Sequence, residues 1–297
     1  MKVKTMKVGM LGLGNMGAGM ATTLASKDFE VYGFDLSPEA MARVLEKGVK
    51  PVESLKELLD SINILIISLP KAEHVEAAIL GENGVLTHGH AGLIVIDTTT
   101  STPETSRKVA AELVKKDMSF ADAPVSGGPK GAASGTMTMV IGAEDDVVEK
   151  IRPVLSAMST TQVHIGGIGA GNVAKIANNL LSAAHLITTA EAISLAVNAG
   201  VDANKVLEGI NAGSGRSAVS QVMFPQWVLS KAYDSGFSMG LMRKDVGLAA
   251  DMADALDLDL PLSRKIIDLW RQSSKQQLLD TDDFTAIVKY TDQEFFG

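Results

Sequence analysis

A short apolar run, Met6-Lys-Val-Gly-Met-Leu11, passes straight into Gly12-Leu13-Gly14-Asn15-Met16-Gly17 and then into a helical pattern over residues 18–25. A strand that turns on glycine and opens a helix within six residues has few uses other than a βαβ unit. Gly12 allows the tight turn, Gly14 lets a pyrophosphate approach the backbone, and Gly17 lets helix and strand pack closely. Leu13, Asn15 and Met16 complete the turn, whose N–H groups at the helix start suit phosphate. An ordinary βα turn is the competing reading. A second β-run, Glu30-Val-Tyr-Gly-Phe-Asp35, ends in an acid at about the twenty-residue spacing where ribose hydroxyls would lie. Capping the next helix is the lesser alternative for Asp35. As a ribose ligand it would repel the 2′-phosphate of NADP, and no arginine follows directly, so the expected cofactor is NAD, with NADP disfavoured.

Apolar runs then alternate with amphipathic stretches. Residues 62–68 and 93–97 are near-continuous β-branched segments of the kind buried on both faces of a parallel sheet. Further strands are expected at 118–122, 136–141 and 162–165, with helices at 39–47, 72–79, 103–115 and 144–158. After Gly166-Gly-Ile-Gly169 the character changes. A helical pattern, apolar on most of its circumference, fills 172–198 and calls for neighbours on several sides; others follow at 202–210, 239–255 and 261–277. The expectation is an α/β chain, with a doubly wound Rossmann domain over 1–166 and an all-α domain over 167–297 containing a long buried helix. That helix could also span an interface between domains.

The 297 residues suffice for two cores. Net charge is −8 with lysine and arginine dispersed, so nucleic acid is not an expected partner. The chain has no cysteine, which excludes disulfides, thiolate metal sites and cysteine nucleophiles and fits a cytoplasmic setting. No metal is expected. The charged first residues and the short, interrupted apolar run do not read as a signal peptide. Residues 180–197 form the most apolar long segment, yet they carry His185 and Glu191, which favours a buried helix over a membrane span.

Lys175 is a lone cation followed four residues later by Asn179 on an apolar helix, and residues four apart share a face. Burial disfavours the charged form of an amine, which would let this one exchange a proton with a substrate hydroxyl. A lysine snorkelling from a helix rim is the alternative. Leu69-Pro70 and the loop ending in Thr100 follow apolar strands, where open parallel sheets bind ligands. Ser126-Gly127-Gly128 also follows a strand and offers a hydroxyl and unobstructed N–H groups to a carboxylate, or simply makes a turn. Arg216, among glycines and serines, could grip a second anionic group on a substrate, or sit idle in a connecting loop.

Four motifs in order, Gly12-Leu-Gly-Asn-Met-Gly17, Asp122-Ala-Pro-Val-Ser-Gly-Gly128, Gly169-Ala-Gly171 with Lys175 and Asn179, and Leu241-Met-Arg-Lys244-Asp245, resemble the β-hydroxyacid dehydrogenase family of the 6-phosphogluconate dehydrogenase superfamily. Its members include 3-hydroxyisobutyrate dehydrogenases and tartronate semialdehyde reductases. The resemblance runs from Lys7 onward. It implies that Lys175 carries the proton, that Asn179 and Ser126-Gly127-Gly128 hold substrate, and that Lys244 lies beside the nicotinamide with Asp245 near it. Without it, Lys244-Asp245 reads as a solvated charge pair. Thr100 and Leu69-Pro70 would touch cofactor.

The expected activity is hydride transfer between NAD and the hydroxyl carbon of a short β-hydroxy acid, or the matching semialdehyde, in a homodimer or homotetramer. Other readings are an imine-reductase-like enzyme, although those generally lack the lysine, and a catalytically silent nucleotide sensor or interaction module on the same scaffold. Longer decarboxylating relatives need a phosphate site that the sequence does not display.

Overall fold

The apolar run forms β1 (Lys7–Leu11) and ends on Gly12, whose φ of +91° favours glycine. A side chain there would strike the Ser68 carbonyl. Helix α1 (Asn15–Ala25) opens at once from Gly14, with no side-chain cap and no acid in its first turn. The chain continues through β2 (Glu30–Phe34), α2 (Pro38–Leu45), β3 (Lys50–Pro51), α3 (Leu55–Ser61), β4 (Ile64–Ile67), α4 (Ala72–Leu80), α5 (Val85–His88), β5 (Ile94–Asp97) and α6 (Pro103–Val114). Then come β6 (Ser119–Asp122), β7 (Val125–Ser126), α7 (Gly128–Ser134), β8 (Met137–Gly142), α8 (Asp145–Met158) and β9 (Ser159–Gly166).

The sheet runs β3-β2-β1-β4-β5-β6-β8-β7, with β9 on β8. Strands β1 to β6 pair in parallel, β8 lies antiparallel to β6 and β7, and β9 is parallel to β8. Leu11 sits between Phe34 and Ile67, so the strand order reverses at β1. The carboxyl ends of β1 and β4 therefore flank the switch point where such sheets bind ligands. Ile64 and Ile66 pack with Met20, Leu24 and Ile151, while Leu65 and Ile67 pack with Leu58, Val75 and Val109. Both faces are covered by helices, which is why the strands read as unbroken apolar runs.

This computed structural model describes residues 6–276 and 278–297, and it divides into two compact units, one reaching Lys175 and one from Ile176 to Gly297. Residues 1–5 of the expected first domain and Gln277, the end of the expected last helix, lie outside the described residues.

Helix α9 (Ala170–Asn198) begins in the first unit. The second continues with α10 (Ala203–Ala212), a π-helical stretch Val219–Val228 around Pro225, α11 (Met239–Ala255) and α12 (Pro261–Gln272). Two short helices, α13 (Val288–Thr291) and α14 (Gln293–Phe296), close it. Its core gathers Leu186, Ala190, Phe224, Met242, Trp270, Ile287 and Phe296, and Trp270 Nε1 donates to Ala183 O at 3.2 Å. Beyond β9 the described residues form one isolated bridge, Ser238 to Asp283, and no strand.

The apolar circumference of α9 predicts burial on several sides, and within the chain the helix is buried along one. Its buried positions recur as Asn172, Lys175, Asn179, Ala183, Leu186, Ala190 and Ile193, whereas Leu181 is 58% and Leu195 76% exposed. Helix α3 escapes periodicity because it is short, although its cap is legible: Ser54 accepts the Glu57 N–H. Helix α7 is hidden by its opening glycine and proline, and the π-helical stretch by Pro225.

Candidate active site

At the switch point each glycine has a distinct constraint. A Cβ on Gly17 would drive into the Gly12 carbonyl, so helix and strand touch backbone to backbone. A Cβ on Gly14 would meet nothing within 4 Å. Nothing inside the fold therefore requires a glycine at 14, and the residue sits at the mouth of a helix whose first turn has no side-chain cap. Those are the features a dinucleotide pyrophosphate requires, and the residues present fit it.

Asp35 reaches back to this turn. Its Oδ2 accepts the Leu13 N–H at 2.6 Å and its Oδ1 the Ser37 N–H at 2.8 Å. Ser37, not Asp35, caps α2 by accepting the Ala40 N–H. The capping reading of Asp35 thus gives way to one in which the acid fixes the glycine turn from the end of β2. Asn15 is exposed, Met16 half-buried and Leu13 buried. On the neighbouring strand ends the Leu69 N–H donates to Thr99 Oγ1 at 3.1 Å, with Pro70 exposed beside it and Thr100 half-buried.

The first unit also builds the lysine site. Strand β6 ends at Asp122, and the chain runs on to Ser126, then to Gly127 and Gly128, whose φ values of +124° and +61° both suit glycine. Lys175 is only 8% exposed, and its Nζ donates to Ser126 Oγ at 2.9 Å. A rim-snorkelling lysine would keep its head in water. This one directs it at a hydroxyl followed in the chain by two glycines.

Holding the lysine helix in place is a buried polar group that sequence reasoning did not single out. Asp122 Oδ1 accepts the Gly169 N–H at 2.6 Å and Oδ2 the Asn172 N–H at 2.8 Å. Burial pushes the Asp122 carboxyl above the usual carboxylate range, and the surrounding N–H groups of Gly169, Asn172 and Gly171 offset only part of that rise. Asn172 in turn accepts the Ser101 N–H at 2.9 Å and donates to Ser106 Oγ at 3.1 Å. The available signal was an acid closing a strand and an amide in a glycine-rich helix start.

In the second unit, Asn179 Nδ2 donates to Asp245 Oδ2 at 2.6 Å, and Lys244 Nζ lies 3.1 Å from Asp245 Oδ1. Asp245 is 2% exposed, so the solvated charge pair suggested by the bare sequence is instead a buried carboxylate engaged by both an amide and an ammonium. Arg216 is exposed on the loop after α10, beside Ser217, which shares hydrogen bonds with Ser220. No hydrogen bond or ion pair described for the second unit brings Arg216 to the Asn179, Lys244 and Asp245 group.

Residues 7–167 match the family described as the NAD binding domain of 6-phosphogluconate dehydrogenase. Residues 169–291 match the NAD-binding family of NADP-dependent 3-hydroxyisobutyrate dehydrogenase. The chain is 35% identical over 290 residues to a 2-(hydroxymethyl)glutarate dehydrogenase of Eubacterium barkeri, covering 98% of this chain and 96% of that one. It is 35% identical over 293 residues to an NAD-dependent L-serine dehydrogenase of Pseudomonas aeruginosa, covering 96% and 98%. Among solved structures, a Mycobacterium tuberculosis 3-hydroxyisobutyrate dehydrogenase with L-serine superposes with a TM-score of 0.90 at 31% identity, covering 97% of this chain and all of that one.

Proposed function

The chain belongs to the β-hydroxyacid dehydrogenase family, and from that premise we propose how its own residues divide the work of a hydroxy-acid dehydrogenase. When bound, the nicotinamide dinucleotide supplies the hydride acceptor or donor for the substrate's hydroxyl carbon. Gly12, Leu13, Gly14, Asn15, Met16 and Gly17 would hold its pyrophosphate, with Leu69, Pro70, Thr100 and Lys244 as further contacts. Lys175 takes the hydroxyl proton in oxidation and returns it in reduction. The observation that carries this reading is the buried ammonium held 2.9 Å from Ser126 Oγ. Ser126, Gly127 and Gly128 cradle the carboxylate, and Asn179, steadied by Asp245, orients the hydroxyl. The working division is a cofactor domain over 1–166 and a helical domain over 167–297, supported by the change of character at Gly166.

NAD is the preferred cofactor in this reading, because Asp35 already presents a carboxylate beside the glycine turn. Asp35→Ser is expected to raise kcat/KM with NADP by about tenfold or more while lowering it with NAD, since a like charge facing a phosphate costs on the order of a few kcal/mol. Steady-state kinetics with both nucleotides measure this. An unchanged NADP-to-NAD ratio would remove Asp35 from cofactor choice.

Substrates are short β-hydroxy acids such as L-serine, 3-hydroxyisobutyrate and 2-(hydroxymethyl)glutarate, and NADH formation with each tests the activity. Arg216 is assigned to a second anionic group. Arg216→Ala should therefore cost about tenfold in kcat/KM on the dianionic 2-(hydroxymethyl)glutarate, at the lower end of what a charge-assisted hydrogen bond supplies, and little on the monoanions. Equal losses on all three would end that assignment. A homodimer or homotetramer is supported by the long exposed apolar side of α9, which bears Leu181 and Leu195.

A further inference from the structure

We propose that Asp122 and Asn172 form a buried clamp that fixes the spacing between the amine of Lys175 and the cofactor-side loop at Thr100, making Asn172 a positioning residue for hydride transfer. The proposal rests on Lys175 being the proton carrier. Three arms of the first unit meet here: the end of β6, the start of α9, and the loop after β5.

Two arms are locked by packing as well as by hydrogen bonds. A Cβ on Gly171 would lie 2.7 Å from the carbonyl oxygens of both Asp122 and Val140, and one on Gly142 would lie 2.5 Å from Asp122 Oδ1. Neither arm has room to slide. Asp122 precedes Ser126 by four residues, and Gly171 precedes Lys175 by four, about 6 Å along the helix. The far ends of these two segments are the groups that meet at 2.9 Å. Any shift at the Asp122 end must reappear at the lysine.

Asn172 joins the third arm. Its backbone N–H goes to Asp122, its Oδ1 takes the Ser101 N–H, and its Nδ2 reaches Ser106 Oγ, so one fully buried residue bonds all three arms. Ser101 adjoins Thr100, assigned above to the cofactor. The amide both accepts and donates here, which an alanine cannot do. A residue that served only stability would change how much protein is folded, but not the barrier to hydride transfer in the folded fraction.

The test uses the full chain and whichever of L-serine, 3-hydroxyisobutyrate and 2-(hydroxymethyl)glutarate it oxidises fastest, with and without deuterium on the hydroxyl-bearing carbon. Asn172→Ala should lower kcat by roughly 10²-fold, the scale of a small misplacement of reacting groups. Ser106→Ala removes one acceptor and should cost about 3–10-fold, and it carries the test if the alanine at 172 does not fold. In both variants the deuterium isotope effect on kcat should rise, while NADH affinity, read from the fluorescence of its dihydronicotinamide, stays close to that of the unsubstituted protein. Hydrogen exchange at the Ser101 amide should accelerate without nucleotide or substrate. A fall in kcat that only tracks the folded fraction, with an unchanged isotope effect, overturns the proposal; so does unchanged exchange at Ser101. If the unsubstituted protein oxidises none of the three acids, the function itself is overturned, whereas normal turnover and isotope effect in the variants overturn the clamp alone.

Discussion

Lys175→Ala should lose about 10²–10⁴-fold in kcat, the usual contribution of a positioned general acid or base, with NAD affinity little changed. The asymmetry follows from where the amine sits. Lys175 is held against Ser126, which the proposal gives to the substrate, whereas the features that fit a dinucleotide are Gly12 to Gly17 and Asp35. A proton carrier acts on the transition state, so its removal should lower kcat and kcat/KM together rather than raise KM alone. Lys175→Arg should not restore activity, since a guanidinium does not release its proton at accessible pH. Stopped-flow and steady-state NADH formation in the two variants provide the measurement. Turnover within tenfold of the unsubstituted protein would assign the proton to another group and leave Lys175 a structural role.

How much of this was legible in the sequence depended on whether a residue acts through local pattern or through distant partners. Gly12, Gly14 and Gly17 were readable because strand, turn and helix are contiguous; the structure gives Gly12 its positive φ and Gly17 its backbone contact, and leaves open space at Gly14. The paired carboxylate and ammonium of Asp245 and Lys244 were visible as neighbours, but the burial of Asp245 was not, and its amide partner Asn179 lies 66 residues away. Asp122 and Asn172 are an extreme case. Each looks unremarkable in its own segment, and their meaning appears only when residues fifty positions apart close on one another. Apolar periodicity located the long helix but not what covers each of its sides, since an apolar circumference does not distinguish burial inside one chain from burial against another.

The glycine turn offers the second large effect, and there it is the contrast that matters. In Gly17→Ala the new methyl would enter the Gly12 carbonyl, so α1 must move off β1. Overpacking of this kind costs about 1–3 kcal/mol and occasionally more, or roughly 2–4 °C per kcal/mol in a domain of this size. Gly14→Ala has no such conflict. Its φ of −61° and ψ of −171° are open to alanine and the methyl projects into empty space, so melting without nucleotide should stay within about 0.5 kcal/mol of the unsubstituted protein. That space is where the proposal puts the pyrophosphate, so NAD affinity should fall about tenfold or more, some 1.4 kcal/mol. Linkage turns the difference into a melting experiment. At NAD equal to 100 times the unsubstituted protein's Kd, that protein gains about 2.7 kcal/mol of stability and a tenfold weaker variant about 1.4. Gly17→Ala should therefore melt early with or without NAD, and Gly14→Ala should melt normally alone yet respond weakly to nucleotide. A full NAD-induced shift in Gly14→Ala would mean that the dinucleotide does not approach this turn, and the assignment of the crevice at β1 and β4 would go with it.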